Sequence, residues 1–309
     1  MAIHTSSRSI NTRKEGSLAP AIAAAAVAGA CTFLSVYCTQ PLLPYFQKVF
    51  GASELAVSLT VSVVTLAVAL VAPFVGLFAE TIGRKKVIVP ALFGMAASTL
   101  LAVTSTSLPA LVFWRFVQGL FVPGVVAVIM AYINEEFHDR SGLVMSSYVS
   151  GTVFGGFLGR FLTGVIASHT DWRAAFFVLG ILNLLGAFAV REWLPLAANF
   201  IPAKHVAHSM ADTWIHLRNL RLLAICCMGF TILFSLVGAF TFANFHLALP
   251  PFNLGPAGLG SIFAVYLLGV IVTPMAGRFL DRYGFRRMTV FSVMLTLTGL
   301  ALTLLPSLL

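Results

Sequence analysis

Two arginines, Arg115 and Arg160, stand inside long apolar runs, where a positive charge must find a partner. Arg115 lies seven residues, about 10 Å, below the outer end of its run. An arginine at that depth costs on the order of 2–3 kcal/mol to insert unless paired. No Asp or Glu lies deep in any apolar run, which leaves backbone carbonyls, polar groups such as Gln40, or a bound anion. Arg160 sits at a similar depth on the next run, which passes the opposite way. Its side chain either snorkels toward the outer interface, the preferred reading, or pairs with Arg115 around a shared anion.

A second cluster could form ion pairs. Gly76-Leu77-Phe78-Ala79-Glu80-Thr81-Ile82-Gly83-Arg84-Lys85-Lys86 closes one apolar run and opens the next. It recurs 201 positions later as Gly277-Arg278-Phe279-Leu280-Asp281-Arg282-Tyr283-Gly284-Phe285-Arg286-Arg287, with glycines, carboxylate and basic pair in register. Gly76 and Gly83 permit close helix approach and a tight turn. Glu80 can pair with Arg84 or with cations across an interface, and Asp281 with Arg282, Arg286 and Arg287 offers the mirror set. Simple retention of Arg84, Lys85 and Lys86 in the cytoplasm is a compatible alternative. A repeated loop between apolar segments points to a duplicated membrane fold.

These residues need elements that hold them in a bilayer. The chain has 309 residues, 59% hydrophobic and 9% charged, with a mean hydropathy of +0.96. A soluble domain carries roughly 25% charged residues, so the expectation is an all-α polytopic membrane protein. Nine spans fit the pattern: 19–39, 55–79, 87–105, 108–131, 142–167, 174–194, 221–243, 258–276 and 288–309. Their length selects helices, since a membrane strand needs only about ten residues.

The net charge of +9 does not indicate nucleic acid, because the cations gather in alternate connections. Fifteen of the nineteen fall in the N-terminal tail or after even-numbered spans, which places those segments in the cytoplasm and the C-terminus outside. Trp172 and Trp193 bracket span six as interfacial anchors would. The chain divides into a tail over 1–18, a six-helix bundle over 19–194, a cytoplasmic linker over 195–220 and a three-helix partial bundle over 221–309. The linker reads as a solvated tether or an interfacial helix. Arg8, Arg13 and Lys14 before an apolar stretch resemble a signal peptide, but the run continues past Cys31 to Val36 and reads as a retained span.

Gly151, Gly155 and Gly159 recur every four residues and form a strip for close packing, with Gly156, Arg160 and Thr163 on an adjacent polar face. Tyr37, Gln40, Asn134, Tyr148 and Asn183 are the other candidates to line a cavity. Cys31, Cys38, Cys226 and Cys227 all lie in apolar segments and read as buried, inert thiols. The spans hold no His/Asp/Cys constellation. No metal, cofactor or enzymatic reaction is expected.

These residues resemble the major facilitator superfamily of secondary transporters. The loop from Gly76 is similar to its Gly-x-Leu-Ala-Asp-Arg-x-Gly-Arg-Lys signature, with Glu80 for Asp and Thr81 for Arg. Arg115-Phe116-Val117-Gln118-Gly119 is similar to its Arg-x-x-Gln-Gly signature. The stretch from Gly151 to Arg160 resembles the antiporter signature Gly-x-x-x-Gly-Pro-x-x-Gly-Gly, with Gly156 for Pro and Arg160 for the last Gly. Gln40-Pro41-Leu42-Leu43-Pro44 resembles the Pro-x-x-Pro end of span one in twelve-span drug antiporters. Together they look most like the bacterial drug- or sugar-efflux branch, near the acriflavine-sensitivity transporters and arabinose efflux permeases.

The resemblance implies a helical bundle of that family in a bacterial inner membrane, exporting a small organic solute by alternating access. It implies the bilayer, a drug-like or sugar substrate and protons as partners. Ion pairs of the repeated loop would hold one state, and the α-helical glycines would act as a hinge. Arg115, with Gln118 and Gly119, would serve proton coupling, with a structural hydrogen-bond hub as the alternative. The family has twelve spans, so the last three are expected to be absent. A non-transporting remnant or membrane subunit is the second reading.

Overall fold

A computed structural model of the chain describes residues 18–137, 140–196, 219–269, 272, 279 and 282–302. Residues 197–218 of the expected linker over 195–220, with Gly277 and Asp281, lie outside the described residues. The chain forms two compact units, one ending at Phe263 and one beginning at Ala264.

In the first unit the first helix ends three residues before the expected boundary at 39. Helix α1 (Leu18–Val36) stops inside the apolar run, and a 3-10 turn (Gln40–Leu42) and α2 (Leu43–Phe50) continue it. Pro41 and Pro44 account for the break. Proline has no N–H to extend a helix and its ring collides with the carbonyl four residues back, but it suits the first turn of a new helix. Both prolines occupy such positions. Gly51, in the left-handed region with φ 59°, ends α2.

Helices α3 (Glu54–Ile82), α4 (Arg84–Ala102), α5 (Leu108–Glu136), α6 (Ser141–His169) and α7 (Trp172–Trp193) follow. Each starts and ends within a few residues of an expected span. Ser53 caps α3 by accepting the Ala56 N–H. Gly83 alone joins α3 to α4, and its φ of 100° is one that a side chain would strain. α8 (Leu220–Leu247) and α9 (Pro256–Ile262) complete the unit.

Helix α1 packs on α6 and α7, while α4 and α5 pack on each other and on α7 and α3 respectively. One core gathers Ile88, Leu92, Met95, Ile129 and Ile133, and another gathers Leu42, Phe46, Leu111 and Phe176. Leu59, Leu101, Phe113 and Leu185 are exposed, as lipid-facing residues of a membrane bundle are.

Trp172 corrects the reading of an interfacial anchor. It is fully buried, edge-on to Phe46 and Phe176 at 5.6 Å from each. Asp171 accepts its backbone N–H at 2.7 Å, so the residue opens α7 within this aromatic cluster. Trp193 does stand exposed. The cysteines also divide: Cys31 and Cys38 are buried, whereas Cys226 and Cys227 are exposed on α8. Residues 220–236 of α8 are all exposed among the described residues, and the helix buries only Asn244 and Phe245, near its other end.

The second unit contains α10 (Phe285–Leu302), preceded by Gly284 with φ 80°. Seven segments of the described residues, up to and including α8, are long and apolar enough to cross a bilayer. The expected span 258–276 begins in α9 and runs outside the described residues, and 288–309 is described to Leu302. The expected total of nine therefore exceeds the seven seen whole. Among the described residues there is no β-strand.

Candidate functional site

Arg115 on α5 is 1% exposed. Its Nε donates to the Thr60 carbonyl of α3 at 3.0 Å. One Nη reaches the Ser35 carbonyl at 2.7 Å, Cys38 Sγ at 3.7 Å and Gln118 Oε1, and the other donates to the Val36 carbonyl. Ser35 and Val36 are the last two residues of α1. A helix end leaves carbonyls without intrahelical partners, and the bilayer core offers no water to replace them. The guanidinium supplies those donors and sets its charge at the negative end of the helix dipole. Gln40, one of the partners expected for Arg115, is engaged elsewhere.

Gln118 extends the network by donating to Thr99 Oγ1 of α4 at 2.5 Å. Gly119 lies where α5 meets α3, since a Cβ there would stand 2.6 Å from the Val64 carbonyl oxygen. Asn183 of α7 donates to Ser35 Oγ, and its own Oδ1 is buried without a partner. Four helices, α3, α4, α5 and α7, therefore converge on the end of α1 and the break after it.

Arg160 does not snorkel. It is buried, with Nε donating to Gln40 Oε1 at 2.7 Å and Nη1 to the Gly156 carbonyl at 2.5 Å. Its guanidinium carbon lies 4.7 Å from the centroid of the Tyr37 ring and 4.6 Å from that of Phe263. Two ring faces and an amide oxygen supply inside the protein what the interface would supply outside. Gln40 Nε2 in turn donates to Thr241 Oγ1 of α8 at 3.4 Å.

The glycine strip of α6 lies against α1. A Cβ on Gly151, Gly155 or Gly159 would collide with the carbonyl oxygens of Ala26, Ala30 and Leu34. Gly29 reciprocates: a Cβ there would come 2.6 Å from the Tyr148 carbonyl oxygen. Tyr148 is buried with its hydroxyl unpartnered, and Asn134 is exposed on the last turn of α5.

At the other end of the bundle, Arg84 makes a bidentate pair with Glu135 of α5, at 3.1 and 2.6 Å. Glu80 makes no ion pair among the described residues: of its two expected kinds of partner, Arg84 is taken by Glu135. The start of α4 and the end of α5 lie at one level of this antiparallel pair, which brings Glu135 to Arg84. Lys85 donates to the Leu194 carbonyl at 2.5 Å, fastening α4 to the end of α7. In the second unit Arg282 lies 5.5 Å from the Tyr283 ring, and Gly284 and Arg286 are exposed.

A cavity of about 760 Å³ opens between α3 and α8. Ser58, Ser62 and Thr65 present hydroxyls along α3, at the spacing of one helix face. Phe230, Phe234 and Phe242 form an aromatic wall on α8. Of the five cavity candidates, only Tyr37 lines it, with Gln40 one hydrogen bond behind Thr241 of the wall. Sequence reasoning missed Glu135, Thr60, Thr99 and Phe263. Glu135 was findable, because it follows span four on the side where Arg84 precedes span three; for Phe263 no local signal exists.

Residues 25–309, which carry this geometry, match the family described as Major Facilitator Superfamily. The chain belongs to the Major Facilitator Superfamily. As a superfamily member it is a multi-pass membrane transporter and not an enzyme. It is 32% identical over 277 residues to an "Uncharacterized transporter" of Buchnera aphidicola subsp. Schizaphis graminum, covering 89% of this chain and 67% of that protein. It is 33% identical over 267 residues to the "Inner membrane transport protein YnfM" of Escherichia coli K12, covering 86% of this chain and 64% of that one. The chain thus spans about two thirds of the length of these relatives. In fold it is similar to the xylose transporter XylE of E. coli, with a TM-score of 0.59 at 16% identity, covering 84% of this chain and 68% of that one.

Proposed function

We propose that the chain is a secondary transporter of a bacterial inner membrane that exports a small organic solute, drug-like or sugar, against proton entry. The observation that carries this is the cavity beside Tyr37, at the place where span one is broken and gripped by Arg115 and Arg160. Irregular backbone at membrane depth is tolerated where it is buried in protein or lines a cavity, and transporters place binding sites at such breaks.

In this reading the six-helix bundle over 19–194 rocks against the segment from 221, with the linker over 195–220, the N-terminus and the even-numbered connections in the cytoplasm. The loops holding Gly76, Glu80, Gly83, Arg84 and Lys85, and Gly277, Asp281, Arg282, Gly284 and Arg286, act as inner latches. Arg115, Gln118 and Gly119 couple the end of α1 to proton movement. The glycine strip of α6 is the hinge, and its likeness to the antiporter signature supports export.

The test uses the purified chain in proteoliposomes that enclose a pH-sensitive dye, under an imposed proton gradient. A panel of acriflavine-like dyes and sugars should include at least one solute that drives proton flux, and Arg115→Ala should abolish that flux. Flux from none of the panel would favour a non-transporting membrane component instead.

A further inference from the structure

We infer that the cavity beside Tyr37 takes an organic anion with an apolar body; this rests on the transport reading above and narrows its substrate class. The phenylalanines of α8 and the hydroxyls of α3 would accept many amphiphiles, so charge decides. Arg115 anchors on the carbonyls of Val36 and Thr60, the residues immediately before Tyr37 and Val61, both of which line the cavity. Every acceptor that Arg115 meets is neutral. Arg160 holds its guanidinium carbon 4.7 Å from the ring of Tyr37. Two side chains that stay ionised at any physiological pH therefore bear on one wall.

The opposing charge is weaker in effect. Glu54 is the carboxylate in the lining, and it stands exposed in the first turn of α3. Water and salt screen a charge in that position, whereas buried guanidinium groups act through protein and are screened much less. An anionic head seated near Tyr37 is drawn by both arginines and meets the hydroxyls of Thr65 and Thr241. A cationic head in the same place is repelled by both. The apolar body then lies against Phe230 and Phe234, whose rings stack at 5.6 Å.

The experiment is equilibrium dialysis of the full chain in lipid nanodiscs against three tritiated probes with one naphthalene body. These are 2-naphthoate, 2-naphthamide and 2-naphthylmethylammonium. The carboxylate should bind about tenfold or more tighter than the other two. In Arg160→Gln that advantage, read as the ratio of the carboxylate and carboxamide affinities, should fall below about threefold, and Arg160→Lys should restore most of it. Ser62→Trp, which fills the cavity, should remove binding of all three. A carboxamide or ammonium probe that binds as tightly as the carboxylate would overturn the anion class while leaving a binding cavity intact. Carboxylate binding that survives Ser62→Trp, or an advantage that survives Arg160→Gln, would overturn the site as drawn. Binding of none of the probes would overturn the cavity as a ligand site, whereas the proton-flux assay judges transport separately.

Discussion

Arg115 of α5 donates to the carbonyl of Val36, the residue at which α1 ends. This relationship accounts for an arginine in an apolar span without a carboxylate beside it. The broken helix presents acceptors that water cannot reach, and the cation finds them at the negative end of the helix dipole. Each feature would be costly alone, and together they are satisfied.

Arg115→Ala should destabilise the protein strongly. It strips donors from the carbonyls of Ser35, Val36 and Thr60. Each buried acceptor left unsatisfied costs about 1–3 kcal/mol, so the loss should reach on the order of 3 kcal/mol. Arg115→Lys should recover part, because an ammonium has donors but not the planar fork. Thermal unfolding in detergent reads this, and an alanine variant as stable as the parent would contradict the capping role.

Gly155→Ala and Gly159→Ala should each cost about 1–3 kcal/mol, because the added methyl meets backbone of α1 and not a movable side chain. Gly142→Ala near the start of the same helix is the control: nothing lies within 4 Å of its Cβ position, so it should stay within about 0.5 kcal/mol of the parent. The monodisperse fraction after a heating series would separate the two classes; equal effects would refute the close α1–α6 contact.

A double-mutant cycle of Arg84→Ala with Glu135→Gln should give a coupling of about 0.5–1 kcal/mol, since the carboxylate is half exposed and screening limits the pair. The cycle of Arg84→Ala with Glu80→Gln should give about zero. Chemical unfolding of the four-variant sets measures both, and the reverse ranking would reinstate the contact within the loop.

The proposed orientation predicts labelling. In a background without cysteines, Ile82→Cys and Tyr283→Cys should be protected from a membrane-impermeant maleimide in intact cells and become reactive after permeabilisation. Ser53→Cys should react from outside. Labelling of Ile82→Cys and Tyr283→Cys from opposite sides would break the duplicated topology.

Much of the fold was legible in the chain alone. The length of the apolar runs demanded helices, the cations between them marked their ends, and the repeated glycine–carboxylate–basic loop foretold tight turns. Gly83 and Gly284 indeed stand at positive φ 201 positions apart. Pro41 and Pro44 marked the place where the apolar run breaks, and the expected span, closing at 39, overshot the end of α1 by three residues. These features are local: hydropathy, proline and glycine act within one turn of themselves.

The partners of the charged side chains were decided by tertiary structure. Helices apolar on nearly every side carry no stripe to show which face meets which neighbour. Arginine reaches several ångströms across a helix contact and can satisfy its donors on carbonyls, amides or rings alike. Arg115 therefore took the end of α1, Arg160 took Gln40, Tyr37 and Phe263, and Arg84 took Glu135 over the nearer-in-sequence Glu80. Such choices depend on helix rotation and close approach through glycine, which arise only when the whole bundle is packed.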